Sequence, residues 1–559
     1  MKSSLFCILS SIVAATATSV PSFLARDSVS ASLSSSASLS TSSSGACTGN
    51  TASTRDQWCN YDINTDYTTT IPDTGVTREY WFDLEHVTVA PDGRSRFALA
   101  INGSIPGPTI EADWGDTVVV HVNNKLPSSV KNGTSIHFHG IRQYYTNPSD
   151  GVYHSHIGLQ AWEGVFGGIK INGPASANYD VDKGFIILND WDINTVDQLF
   201  DSAQNDGPPE LDSALINGMN VFGEDGYANQ TGTRWNTSFT EGESYRFRLV
   251  NGACDTHFKF MIDNHTMTVI ANDLVPIEPY NTSVLDIAMG QRYDIIVHAD
   301  KASIAKDFWL RAIPQEACSE NQNPTNIKGI VYYGSSPSTP TTTGYSYTDA
   351  CDDEDMSNLV PIVNPYTITS NPLYNESEPV SLGKNSQSLY RWKLNSTSMH
   401  VSWDDPTLLE IYRNHTSFSN TSGVVQLPRA DEWAFVIIET TLSVPHPIHL
   451  HGHDFVVLSQ GSGTYSAGDI TTNNPPRRDT AMLPANGHLV IGFVTDNPGA
   501  WLMHCHIGWH TEEGFAIQFV ERYSEIQDLI DYDSLHSNCQ NWETYQSGKN
   551  FAIEDDSGV

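Results

Sequence analysis

The chain has 559 residues, with 65 acidic side chains against 29 basic ones and a formal charge of −36. Such a surplus leaves no basic face for a phosphate backbone, so nucleic acid is excluded as an expected partner. It suits a solvated, self-repelling surface that favours cationic or neutral small molecules over anions, and the length allows roughly two to four domains.

Residues 1–17 carry Lys2, an apolar run from Leu5 to Ala15 and the small-residue triplet Ala15-Thr16-Ala17, the pattern of a cleaved secretory signal. That run is too short to cross a membrane, and no later stretch reaches roughly 18 uninterrupted apolar residues. Ten Asn-x-Ser/Thr sequons, among them Asn132, Asn229, Asn264, Asn281, Asn395 and Asn420, fit passage through a eukaryotic secretory route. A secreted, extracellular protein without a membrane partner is expected. Residues 18–46 read as a Ser-rich leader, since 28–45 are almost wholly Ser, Ala, Leu and Thr and have no means of burying a core. Beyond it, short β-rich runs recur between turn residues at 116–123, 244–251, 292–299, 433–439, 454–458 and 488–496. This spacing predicts sandwiches or barrels rather than α/β units. Segments starting at Gly115, Gly242 and Gly487 repeat a turn followed by an alternating strand. The Ser-, Thr- and Pro-rich stretch 334–347 reads as a joint, and 524–530 as a short surface helix.

Histidine placement carries the chemistry. The 20 histidines form five His-x-His pairs, where chance predicts about 0.7. They lie in His137-Phe138-His139, His154-Ser155-His156, His446-Pro447-Ile448-His449-Leu450-His451-Gly452-His453 and His504-Cys505-His506-Ile507-Gly508-Trp509-His510. Successive side chains of a strand point to opposite faces, so His504 and His506 share one face while Cys505 projects from the other. One cysteine then sits between two metal sites. A thiolate with imidazoles in a trigonal arrangement is the ligand set of a blue copper centre, whereas a lone His-x-His is equally a zinc ligand or a packed strand histidine.

These four segments, in this order, together with Leu159-Gln160-Ala161-Trp162-Glu163-Gly164, Asn474-Pro475-Pro476-Arg477-Arg478-Asp479-Thr480 and the ending Asp556-Ser557-Gly558-Val559, resemble the multicopper oxidases and, within them, the laccases of ascomycete fungi. The resemblance runs from about Cys47 to Val559. It implies an all-β chain of three cupredoxin-like Greek-key sandwiches, at 47–178, 179–345 and 346–559. It also implies four copper ions, one of type 1, one of type 2 and two of type 3, in a monomeric enzyme. By position, His446, Cys505 and His510 resemble the type 1 ligands and His137 and His449 the type 2 ligands. His139, His154 and His506 would hold one type 3 copper, and His156, His451 and His504 the other. Substrate electrons, taken singly from a phenol, benzenediol or aromatic amine, would enter at type 1, pass from Cys505 to His504 and His506, and collect until dioxygen is reduced to water.

Three further positions follow from the resemblance. Phe515 lies ten residues after Cys505, at the place that faces type 1 copper axially; phenylalanine cannot donate, which implies a raised potential. Asp255 matches a substrate-pocket carboxylate that accepts the phenol's proton, with a plain loop aspartate as the alternative. Asp116 matches an acid beside the trinuclear centre, with a turn residue as the alternative. Cys47 with Cys59 and Cys318 with Cys351 are spaced like two disulfides of the ascomycete laccases, leaving Cys254 and Cys539 without a role.

One departure bears on activity. Only residues 140–153 separate His139 from His154, where relatives carry a further stretch of strands containing a cysteine, the expected partner of Cys539. Domain 1 is therefore expected to lack a segment, through a gene-model or splicing artefact or as a real deletion, which sequencing the transcript across codons 150–155 distinguishes. A ferroxidase-like oxidase, or a copper-binding paralogue disabled by this gap, stand as alternatives to the laccase reading.

Overall fold

A computed structural model describes residues 48–128, 132–143, 151–468, 470–547 and 557–558. The secretory signal, the Ser-rich leader, Cys47, Asp556 and Val559 lie outside them. The expected strands form with small shifts of their ends, and they assemble into three stacked pairs of sheets, three cupredoxin-like sandwiches in chain order. The first pairs a three-stranded sheet with a four-stranded one, whereas the second and third each pair six strands with five.

The second and third sandwiches share one construction rule. Strand Ser244–Asn251 lies between a parallel neighbour, Val181–Trp191, and an antiparallel one, Arg292–His298. Strand Trp433–Glu439 likewise lies between parallel Tyr374–Lys384 and antiparallel Gly487–Val494. The segment from Gly487 is thus the counterpart of Arg292–His298, not of the strand after Gly242, so the repeat read in the sequence joins strands that occupy two different places. In the first sandwich, Thr117–Asn124 has its parallel neighbour Thr77–Val89 but, among the described residues, no antiparallel one. The effect on burial is direct. Every residue of Ser244–Asn251 is buried, while along Thr117–Asn124 only Asn124 is, and Val118, Val120 and Val122 pack half-exposed against the first core.

The apolar interior divides the same way. One continuous core runs through the second and third sandwiches, from Ile186 and Phe247 to Ile491 and Phe519. The first has its own smaller core around Phe82, Leu84, Ile101, Tyr153 and Ile169. It is joined to the third by Arg142, which pairs with Asp496 and whose carbonyl accepts from Asn497 Nδ2 at 2.9 Å.

Helices are few. The expected 524–530 helix is Tyr523–Leu529. Four other α-helices among the described residues were not anticipated: Val196–Asp206, whose N-terminus is closed by a Thr195–Gln198 capping box, the short Thr407–Tyr412 and Gly508–Glu512, and Tyr532–Ser547, which buries Leu535, Cys539 and Trp542. The 334–347 joint has no regular structure but is held along the second sandwich, with Trp309 N donating to Thr342 Oγ1 at 3.2 Å. Cys318 and Cys351 form a disulfide, and Cys59 is disulfide-bonded. Cys254, Cys505 and Cys539 are free and buried.

Candidate functional site

Strand alternation builds two metal-ligating clusters on opposite faces of one sheet. Strand His446–Leu450 pairs antiparallel with Gly499–Cys505 in the register Ile448 opposite Cys505 and His449 opposite His504. Directly opposed residues share a face. His446, two residues before Ile448, therefore joins Cys505 on one face, while His449 and His451 join His504 and His506 on the other.

On the first face, the helix Gly508–Glu512 returns His510 to the cysteine. Thr511 donates its hydroxyl to the Cys505 carbonyl, and Phe515 N donates to the His510 carbonyl at 2.9 Å. Cys505 Sγ lies 3.6 Å from His510 Nδ1 and 3.8 Å from His446 Nδ1, with 3.3 Å between the two nitrogens. Three donor atoms thus converge on one point. Burial pushes the thiol up and lowers His446 to about 3, with His510 also well below its ordinary value. The imidazoles are neutral, as metal ligation requires. Phe515, fully buried, stands 5.0 Å from the His446 ring and offers no donor atom.

On the other face, eight histidines meet between the first and third sandwiches. His137 and His139 come from one strand and His154 from the strand paired with it, His137 opposite His154. His156 Nε2 and His451 Nε2 each lie 3.3 Å from His504 Nε2. His139 Nδ1 lies 3.4 Å from His154 Nε2, with the His506 ring 5.1 Å and 5.9 Å from theirs. The His137, His449 and His451 nitrogens form a further close group. Burial and mutual repulsion lower His137, His139, His156, His451, His504 and His506 well below their ordinary range, and burial lowers His154 to about 4. His137 Nε2, His449 Nε2 and both ring nitrogens of His506 are buried without a hydrogen-bond partner. Orphaned buried acceptors are costly. Buried imidazole nitrogens without a hydrogen-bond partner, turned toward one another, fit bound metal.

The carboxylate at these histidines is Asp479, with Oδ1 3.4 Å from His139 Nε2 and 3.5 Å from His449 Nδ1. Arg292 clamps it with two hydrogen bonds, at 2.7 and 2.5 Å, and holds it well below the usual carboxylate range. It is placed to orient both rings. The sequence reading passed over it as part of a family motif, because its partners lie in strands distant in sequence. Asp116, read as an acid beside this centre, has Thr74, Arg78 and the Asp113 amide as its partners, the contacts of a turn residue.

Asp255 lies partly exposed beside the first face, with the Trp509 indole N–H turned toward it, and burial together with the neighbouring Asp190 raises it well above its ordinary value. Cys254 acquires a packing role: its Sγ sits 2.6 Å from where a Gly508 Cβ would be, and its carbonyl accepts from Gly508 N at 2.8 Å.

Comparison with known proteins agrees with this geometry. The multicopper oxidase family matches residues 83–152, 182–335 and 387–525. Laccase-2 of Botryotinia fuckeliana is 43% identical over 560 aligned positions, covering 92% of this chain and 94% of that protein. Since 92% of a 559-residue chain falls well short of 560 positions, several tens of positions are filled in the relative alone. Laccase-1 of Melanocarpus albomyces is 38% identical, covering 89% of this chain and 87% of that one. The crystal structure of the laccase from Botrytis aclada superimposes with a TM-score of 0.84 at 40% identity, covering 91% of this chain and 99% of that one. Fet3p, at 23% identity and a TM-score of 0.74, shares the fold. The chain belongs to the multicopper oxidases, in their ascomycete laccase branch.

Proposed function

We propose that this chain is a secreted laccase that takes electrons singly from phenols, benzenediols or aromatic amines and delivers them to dioxygen. Copper is the group that the donor sets fit. When bound, it supplies one-electron oxidation at a Cys-His-His site and four-electron reduction of dioxygen to water at a histidine cluster. We assign His446, Cys505 and His510 to type 1, His137 and His449 to type 2, His139, His154 and His506 to one type 3 ion and His156, His451 and His504 to the other. The observation that carries the reading is the segment 504–506. Its cysteine enters the trigonal site while its two histidines enter the cluster, so a short covalent path joins the two.

The remaining residues act around the metals. Phe515 packs against the His446 ring and would offer a metal held there no donor atom. Asp255, facing Trp509 one residue before His510, would accept the proton that a phenol loses with its electron. Among the described residues no helix is long and apolar enough to cross a membrane.

One observation favours a second reading, a copper-binding chain with impaired turnover: the open edge of Thr117–Asn124 in the sandwich that supplies His137, His139, His154 and His156. Copper content and oxygen uptake on the purified protein, with a phenol and with ferrous ion, decide the matter. The laccase reading expects four coppers and uptake with the phenol. Uptake with ferrous ion alone would make it a ferroxidase, and copper without uptake would make it the impaired form.

A further inference from the structure

We propose that Asp190 is the positioning residue of the donor side: its buried carboxylate fixes residues 254–256, and with them the placement of Asp255 against the turn that carries His510. The inference rests on the reading of Asp255 as proton acceptor.

Asp190 lies near the end of strand Val181–Trp191, two residues beyond Leu188, the last to pair with the parallel strand ending at Asn251. There the chain leaves the sheet, and the amides of the next residues lose their ladder partners. Buried amides left unpaired are costly. The Asp190 carboxylate receives them. Oδ1 accepts from Cys254 N at 2.9 Å, and Oδ2 accepts from Asp255 N at 2.9 Å, Thr256 N at 3.2 Å and Thr256 Oγ1 at 3.2 Å. Asp190 is only 8% exposed. An ionised carboxyl at that depth is expensive unless its lone pairs are used, and here three consecutive amides and a hydroxyl use them. Asn251 pins the same loop from the other side, its Nδ2 donating to the Thr256 carbonyl at 2.9 Å and its Oδ1 accepting from Ala253 N at 2.9 Å.

What this loop carries gives the clamp its consequence. Cys254 hands the constraint across the domain boundary, its carbonyl accepting from Gly508 N at 2.8 Å. Its sulfur fills the space that makes glycine necessary at 508, two residues before His510. Asp255 faces Trp509, the residue between. A single carboxylate of the second sandwich thereby sets the spacing between the proton-accepting Asp255 and the His510 turn of the third. No other residue type brings two oxygens to this point at this length; asparagine would turn an NH2 group toward at least one amide.

Asp190→Asn and Asp190→Ala, beside Asp255→Ala, test this in two ways. In copper-free protein, both Asp190 variants should speed amide hydrogen exchange at 254–256 at least tenfold while Ser244–Asn251 keeps its protection. In copper-loaded protein, kcat/KM for a phenol should fall about 10- to 100-fold, the loss that an ångström of misplacement brings. The blue absorption and kcat/KM for ferrocyanide, which loses no proton, should stay within about twofold of wild type on the same argument. Unchanged exchange at 254–256 in both variants overturns the inference, as does an equal loss on both donors accompanied by general loss of protection. Asp255→Ala losing equally on phenol and ferrocyanide overturns instead the reading of Asp255, whatever the exchange data show.

Discussion

Cys505 meets the His446 and His510 nitrogens at 3.8 and 3.6 Å, is fully buried, and has the Ile507 amide as a further partner, so it is held as the one sulfur donor of this site. Cys505→Ser should therefore abolish the blue thiolate-to-copper absorption and substrate oxidation, while the histidine cluster still loads copper; a blue, active variant would remove the assignment. Phe515→Met places a weak sulfur donor against the same site and should lower its potential, on the order of 60 mV for a tenfold shift in the one-electron equilibrium, read by redox titration. Away from the metals, Glu354 is buried, accepting from Asp286 N at 2.8 Å and Tyr280 Oη at 2.9 Å, and burial raises it to about 7. Its folded pKa exceeds the unfolded value, so its contribution is fully present below about pH 4.5 and is lost as pH rises toward 7, by about 3 kcal/mol. Glu354→Gln should flatten that decline in unfolding free energy between pH 5 and 8; an unchanged slope would show that the carboxyl is ionised in the fold. The ligands were legible in the sequence because alternation and spacing fix their faces. Asp479 and Asp190 were not, since an acid's role depends on which distant amide, ring or guanidinium it meets.

At the level of elements, the strands showed themselves through alternating apolar residues between turns, and so did the short 523–529 helix. Tyr532–Ser547 was missed although Leu535, Cys539 and Trp542 stand at i, i+4 and i+7, a helical spacing. Its polar remainder hid it. This helix buries Cys539 beside Leu409 and Leu535, so that cysteine has a packing role in the absence of a disulfide partner. Beyond it, Ser557 is buried and Gly558 pairs with the 399–401 segment, donating to the Met399 carbonyl at 3.1 Å and accepting from Val401 N at 3.0 Å. Met399, His400 and Val401 line a cavity of about 250 Å³ that also reaches His137, His156 and His451. The tail thus braces, by backbone hydrogen bonds, the segment that forms one wall of that cavity. Deleting residues 556–559 should cost about 2 kcal/mol for two backbone hydrogen bonds and should weaken copper retention at the cluster. Full copper content after dialysis, with unchanged oxygen uptake, would make the tail a frayed end.

Over the whole molecule, the second and third sandwiches share one core while the first stands on a smaller one with an open edge. The short interval between His139 and His154 was visible in the sequence. So was the exposed sheet edge expected from it; which strand carries an open edge was not, because only the two complete sandwiches show that a strand should lie antiparallel to Thr117–Asn124. An edge strand whose core-facing valines are half-exposed gives up burial worth about 25 cal/mol per Å² of apolar surface, so the first sandwich is the least stable unit. Yet it supplies His137, His139, His154 and His156, against His449, His451, His504 and His506 from the third. Metal bound between them stabilises only the docked arrangement, by RT ln(1 + [L]/Kd), about 4 kcal/mol at a thousandfold excess over Kd. Without metal, what remains of that interface is the facing imidazoles and contacts such as Arg142 with Asp496 and Arg477 with Tyr67. Copper removal should therefore lower the unfolding temperature and raise hydrogen exchange selectively in Thr77–Val89, Thr117–Asn124 and Phe166–Asn172, with Ser244–Asn251 and Trp433–Glu439 still protected. Loss of protection spread evenly over all three sandwiches, or no change in the first, would show that the open edge leaves it as well anchored as the others.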